Sequence, residues 1–101
     1  MKMKQVQIYI DKEEEFGKIP LPQFILRFLL DNGIAGATCI DCASGFGNHY
    51  RLKHPGNSFI LDEQPSLITF SDETEKAQEV ITELRKYYRG GFITMHDVEQ
   101  Y

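Results

Sequence analysis

Two one-sided apolar stripes at helical spacing constrain this chain more than any other feature. Leu21, Phe24, Ile25, Phe28 and Leu29 form the first, and Ala77, Val80, Ile81, Leu84 and Tyr88 the second. An amphipathic helix must bury its stripe against another layer, so two of them call for a shared apolar surface. Each stripe carries its own punctuation. Pro20 and Pro22 suit the first turn of a helix, where a missing N–H is no loss. Asn32-Gly33 tolerates the left-handed conformation that ends one. Asp72 and Glu75 have the spacing of a capping box, and Gly90-Gly91 predicts the second stop.

The shared surface is supplied by strands. Val6, Ile8 and Ile10 alternate with Gln5, Gln7 and Tyr9, the period of a half-buried strand. The acidic stretch from Asp11 to Lys18, with Gly17, reads as an exposed connection. A second strand is expected from Ile34 to Ala43, broken by Ser44-Gly45-Phe46-Gly47. Asn48 to Asn57 has no regular period and ends in the turn signal His54-Pro55-Gly56-Asn57. Ser58 to Leu61 and Ser66 to Phe70 read as one strand interrupted at Pro65, which cannot donate to a ladder. Phe92 to Val98 makes the last strand. The order β-α-β-β-α-β, with right-handed crossovers, predicts an α+β ferredoxin-like fold: a four-stranded antiparallel sheet with both helices on one face. At 101 residues, 42% of them apolar, there is material for a single domain over residues 1–101.

Phe59-Ile60-Leu61, Leu67-Ile68-Thr69-Phe70 and Phe92-Ile93-Thr94-Met95 are apolar at consecutive positions, and so on both sheet faces. With helices on one face only, the other would expose apolar surface, which predicts self-association. The net charge of −4 gives no overall positive field for phosphates, so general nucleic-acid binding is not expected. No apolar run reaches the roughly 18–20 residues of a membrane span. The polar–apolar alternation of the first residues lacks the apolar centre of a signal peptide, so a cytoplasmic location is expected. Cys39 and Cys42 fit a reducing compartment.

Several of these segments, taken together, resemble a widespread prokaryotic family of uncharacterised proteins grouped with the PII-like signalling proteins. They are Ile8-Tyr9-Ile10 before an acidic, Gly-containing connection and Pro-Leu; Ile34-Ala35-Gly36-Ala37-Thr38; Ser44-Gly45-Phe46-Gly47; Pro65 before an apolar strand; and Gly91-Phe92-Ile93-Thr94-Met95-His96-Asp97-Val98. The resemblance spans essentially the whole chain. It implies a homotrimer with sheets facing inward and a loop after the second strand that meets a protein partner, a transporter or an enzyme. In PII proteins nucleotides lie in clefts between subunits. The positions that match theirs here are Gly45, Phe46 and Gly47 at the loop base, and more loosely Arg89, Gly90 and Gly91 before the last strand. Two departures stand out. The relatives usually carry Arg-Gly at the place of Asp41-Cys42, and the Gly-Asp-Gly-Lys phosphate segment of PII proteins is absent.

The residues themselves add to this. Ser44 to Asn57 holds His49, Tyr50, Arg51, Lys53 and His54 with no acidic residue, inside an acidic protein. Arg51 and Lys53 are suited to a phosphate or an acidic partner, and a solvated surface loop is the plainer reading. Gly45-Phe46-Gly47 would let backbone amides approach an anion, or simply make a tight turn. Cys39 and Cys42 have C-x-x-C spacing with two histidines nearby, but residues three apart in a regular strand face opposite ways. No catalytic motif is present, so an enzyme is not expected. The leading expectation is a regulatory protein that binds a small anionic effector, such as the adenine nucleotides AMP, ADP or ATP, through Gly45, Phe46, Gly47, Arg51, Arg89, Gly90 and Gly91. The alternative is a trimeric protein of the same fold that responds to a divalent metal.

Overall fold

The computed structural model describes residues 2–43 and 65–101. The strand expected over Ser58 to Leu61 and the loop residues Gly45, Phe46, Gly47, His49, Arg51 and His54 lie outside the described residues.

The alternating segment at the start forms β1, Met3–Asp11. The chain then makes a short hairpin, β2 (Glu15–Phe16) with β3 (Ile19–Pro20), and enters α1, Leu21–Asp31. β4 covers Thr38–Asp41 and β5 covers Pro65–Glu73. α2 spans Thr74–Leu84 and β6 spans Phe92–Val98. The four long strands make one sheet in the order β4-β5-β1-β6, with every neighbouring pair antiparallel. This is the α+β ferredoxin-like arrangement, in which β1 and β5 are central and β4 and β6 are edges.

Register decides the faces. Val6 pairs with Phe70 and Met95, and Ile8 with Ile68 and Ile93. Directly paired residues share a face, so these side chains line one side together. They join Leu21, Ile25 and Leu29 of α1 and Ala77, Val80, Ile81 and Leu84 of α2 in a single core, with Val6, Ile8, Ile68, Leu21, Ile25, Leu29 and Leu84 fully buried. Both helices therefore cover the same face, and both predicted stripes point into it.

The open face is banded. Ile40, Leu67, Tyr9 and Phe92 pair in one row across all four strands, and Thr38, Thr69, Gln7 and Thr94 in the next. Ile40 is 48% exposed and Phe92 60%. A full apolar row thus lies at the end of the open face where β1 and β4 finish, and the Met3–Val98 pair adds a smaller apolar spot at the other end. The polar row beside it comes from the polar half of the alternation.

The helix ends differ from the reading of the sequence in three ways. Asp72 is not a cap: Glu73 occupies that position, α2 begins at Thr74, and the Asp72 carboxylate accepts from the Glu73 backbone N–H at 2.7 Å. β5 runs on to Glu73 and leaves no room for an earlier start. α2 stops at Leu84, and Tyr88 is buried by the turn that follows, with its N–H donating to the Leu84 carbonyl. The stretch from Asp11 to Lys18 is not a plain connection either. Its hairpin lays Phe16 on Phe24, ring centroids 4.0 Å apart and nearly parallel, and the Glu14 carbonyl accepts the Leu21 N–H. The end of α1 does follow expectation. Gly33 sits at φ 83°, with its N–H on Leu30 O and the Ile34 N–H on Leu29 O, the pair of bonds that satisfies a helix's last carbonyls.

Leu29 and its neighbour Leu30 test how α1 docks. Leu29→Ala should lower the unfolding free energy by about 2–5 kcal/mol, because a cavity is left in a packed core. Leu30→Ala should shift it by about 0.5 kcal/mol or less, since Leu30 is 65% exposed. Urea denaturation measures both, and equal losses would mean that α1 presents a different face to the sheet.

Candidate functional site

The described members of the predicted site, and the residues that flank the others, lie at one end of the sheet. β1 finishes at Asp11 opposite Pro65, β4 finishes at Asp41 opposite Ser66, and β6 starts at Phe92 opposite Tyr9. Ala43 and Pro65, which flank residues 44–64, are both at this end. So are Arg89, Gly90 and Gly91, just before β6. Gly45, Phe46, Gly47 and Arg51 fall within 44–64, outside the described residues.

Across this end lie two groups of side chains. The first stands where β4 and β5 meet the turn after β1. Ser66 is fully buried and donates its hydroxyl to Asp41 Oδ1 at 3.0 Å. Lys12 Nζ lies 3.6 Å from Asp41 Oδ2. Cys39 pairs with Ile68 and so faces the helices, and burial, then the Asp41 charge, pushes its thiol pKa up. At neutral pH it is a thiol, not a thiolate. Cys42 continues the ladder by donating its N–H to Pro65 O, and its sulfur turns to the Ile40 carbonyl at 4.0 Å. Among the described residues no group of three or more His, Cys, Asp or Glu is placed to hold a metal ion. His96 sits on the open face opposite Gln5, away from this end.

The second group is the connection from α2 to β6. The Arg85 guanidinium donates to the carbonyls of Tyr88 and Gly90, which folds the connection back on the helix end. Tyr88 donates its hydroxyl toward Glu14 Oε1 at 3.5 Å and ties this connection to the turn after β1. Burial and the Glu14 carboxylate push the Tyr88 pKa up to about 12. Gly91 takes φ 66°, and a Cβ there would stand 2.8 Å from the Tyr9 carbonyl oxygen. That glycine is required by its approach to β1. Arg89, by contrast, is exposed.

The strands that flank the two groups are the opposite edges of the sheet, and the turn after β1 reaches both groups through Lys12 and Glu14. β4 and β6 are separated by β5 and β1, three strand intervals or about 14 Å. Lys12, Ser66 and Arg85 were not singled out in the sequence. Register could have found Ser66, since it is the polar member of an otherwise apolar inward series with Ile68 and Phe70. A separate open hollow, lined by Lys2, Met3, Asp97, Val98 and Glu99, lies at the other end of the sheet, where Lys4 pairs with Asp97 at 2.7 Å.

Known structures share this architecture. The chain is similar to CPII from Thiomonas intermedia K12 bound to ADP, AMP and acetate, with 18% identity and a TM-score of 0.68 over 96% of this chain and 86% of that one. It is similar to CPII bound to ADP, AMP and bicarbonate, there described as a nitrogen regulatory PII-like protein, with 17% identity and a TM-score of 0.69 over 97% and 93%. The apo form of CPII gives 16% identity and a TM-score of 0.65 over 97% and 90%. At such identities the likeness is one of fold, and it agrees with the strand order and helix placement above. Residues 3–100 match the profile of a family described as Uncharacterized ACR, COG1993, which leaves almost nothing of the chain uncovered, and the protein therefore belongs to that family, DUF190.

Proposed function

We propose that this protein is a non-enzymatic PII-like regulator, a homotrimer that binds an adenine nucleotide in clefts between its subunits. The observation that supports this reading is that the described flank of one half of the site and the whole of the other follow or precede opposite edge strands. Ala43, which leads into Gly45-Phe46-Gly47, follows edge strand β4, and Arg89-Gly90-Gly91 precedes edge strand β6. A ligand spanning both within one subunit would cross the ends of β5 and β1. There the turn after β1 intervenes, with Lys12 against Asp41 and Glu14 against Tyr88. Edge strands of two different subunits can bring the halves together without that crossing.

CPII supports the choice of ligand, since that protein of the same fold has been seen with ADP and AMP together with bicarbonate or acetate. The apolar row Ile40–Leu67–Tyr9–Phe92 supports the assembly, because it is a band of exposed apolar side chains that a second sheet would cover. Residues 48–57, with His49, Tyr50, Arg51, Lys53 and His54, would then meet a transporter or enzyme partner. A ligand alters that contact only if it favours one state of the segment over another.

Calorimetric titration with AMP, ADP, ATP and cyclic nucleotides should give saturable binding near one ligand per subunit. No binding across that panel would overturn the nucleotide reading. Gly45→Val or Gly47→Val should abolish binding and leave the particle mass unchanged. Unaltered binding in both would remove the Gly-Phe-Gly segment from the site.

Phe92→Asp tests the assembly separately. On a lone subunit a charge at this 60% exposed position is tolerated, whereas in a sheet-to-sheet interface it is buried unpaired and costs several kcal/mol. Light scattering should report dissociation to single chains, and an intact trimer would exclude this row from the interface.

A further inference from the structure

We infer that Lys12 and Ser66 form a seat for a small planar O–C–O anion, a carboxylate or bicarbonate, and that the Asp41 side chain fills it in place of an external ligand. The two oxygens of one carboxylate meet two different donors: Oδ1 takes the Ser66 hydroxyl at 3.0 Å, and Oδ2 faces the Lys12 ammonium at 3.6 Å. That division matches a planar two-oxygen anion better than a single-point contact does.

One of the donors is built in. Ser66 has no exposed surface, and β5 holds it between Ile10 on β1 and Asp41 on β4, within the apolar series that ends at Phe70. A buried hydroxyl without a partner is costly, and Asp41 is its oxygen acceptor here, with the Cys39 thiol as a second, weaker hydrogen-bond partner. The accepting carboxylate is itself mostly in solvent, with 67% of the Asp41 side chain exposed. An exposed surface ion pair contributes about 0–1 kcal/mol. The fold therefore gains little from the Lys12–Asp41 contact itself, and an external anion competes against a weakly held occupant. The neighbouring Cys39 brings no second anion, since its pKa is pushed up and it stays a thiol.

The seat lies at the end of the sheet where the effector site has been proposed, and its meaning in regulation rests on that reading. Its existence does not. An intramolecular occupant lowers apparent affinity in proportion to the fraction of time the seat is free. An effector that uses Lys12 must first displace Asp41, and replacing Asp41 should turn a blocked position into a binding one.

The test is titration of the full-length protein with sodium acetate and with sodium bicarbonate at fixed ionic strength, followed through backbone amide shifts of Lys12 and Ser66. Asp41→Ala should bind either anion at least about tenfold more tightly than the wild-type chain. Inorganic phosphate, which is tetrahedral, should show a smaller gain. In Asp41→Ala/Lys12→Met and Asp41→Ala/Ser66→Ala the gain should vanish. An unchanged affinity in Asp41→Ala overturns the proposal. So does a gain that survives both double variants, because it would then reflect only the loss of one negative charge. Lys12 is partly in solvent, so its replacement keeps the test decisive even if the Ser66 variant unfolds. Nucleotide titrations run alongside separate this result from the proposed function: an acetate gain without nucleotide binding keeps the seat and removes the nucleotide.

Discussion

Val6, Ile8 and Ile10 face the helices because β1 is held in register on both sides, by β5 and by β6. A slip of one residue against either partner would turn that apolar series to the open face and bring Gln5, Gln7 and Tyr9 inward. The same register stacks Met95 and Ile93 beside Val6 and Ile8, and Phe70 and Ile68 on their other side, so one error would unmake the core on three strands at once. It also fixes where the connections meet. Because β1 ends opposite the start of β5 and just beyond the start of β6, the turn after β1, the flanks of residues 44–64 and the α2–β6 connection share one end of the sheet.

That shared end explains constraints which look unrelated along the chain. Gly91 has no side chain because it passes the carbonyl of Tyr9, a residue of the register just described. Arg85 spends its guanidinium on the carbonyls of Tyr88 and Gly90, which holds Gly91 at that approach. Tyr88 reaches Glu14 across the same end. The glycines carried over as a phosphate segment therefore already have a structural reason, and Arg89 is the member of the trio whose exposure leaves it available to a ligand.

The layers were legible in the sequence because each rests on a long repeat. Leu21, Ile25 and Leu29, and Ala77, Val80, Ile81 and Leu84, each recur often enough to define a face whatever their ends do. The errors fall where a single local contact decides. Asp72 looks like a cap by spacing, yet β5 continues past it because Ser71 and Asp72 still pair with Gln5 and Lys4. The β2–β3 hairpin has only two residues in each strand, too short for any period, and what makes it matter is Phe16 resting on Phe24. Arg89, Gly90 and Gly91 entered the candidate site through the resemblance, and chain order alone sets them before β6. Lys12 and Ser66 were not, because nothing in a linear pattern joins residue 12 to residue 66. Only the antiparallel register does.

The banding of the open face links this geometry to assembly. An alternating strand with one buried face normally leaves a polar outer face, and the row through Gln7, Thr69, Thr94 and Thr38 obeys that rule. The next row breaks it on all four strands at the same level. A chance excess of hydrophobic residues would scatter, whereas Ile40, Leu67, Tyr9 and Phe92 line up across the sheet at the end that carries Asp41, Ser66 and Gly91. In the proposed assembly, subunits meeting along this row would bring their site ends together, with the contact on the open face and the cleft at the strand ends beside it. A ligand bound there would be sensed by the interface directly, without a path through the core.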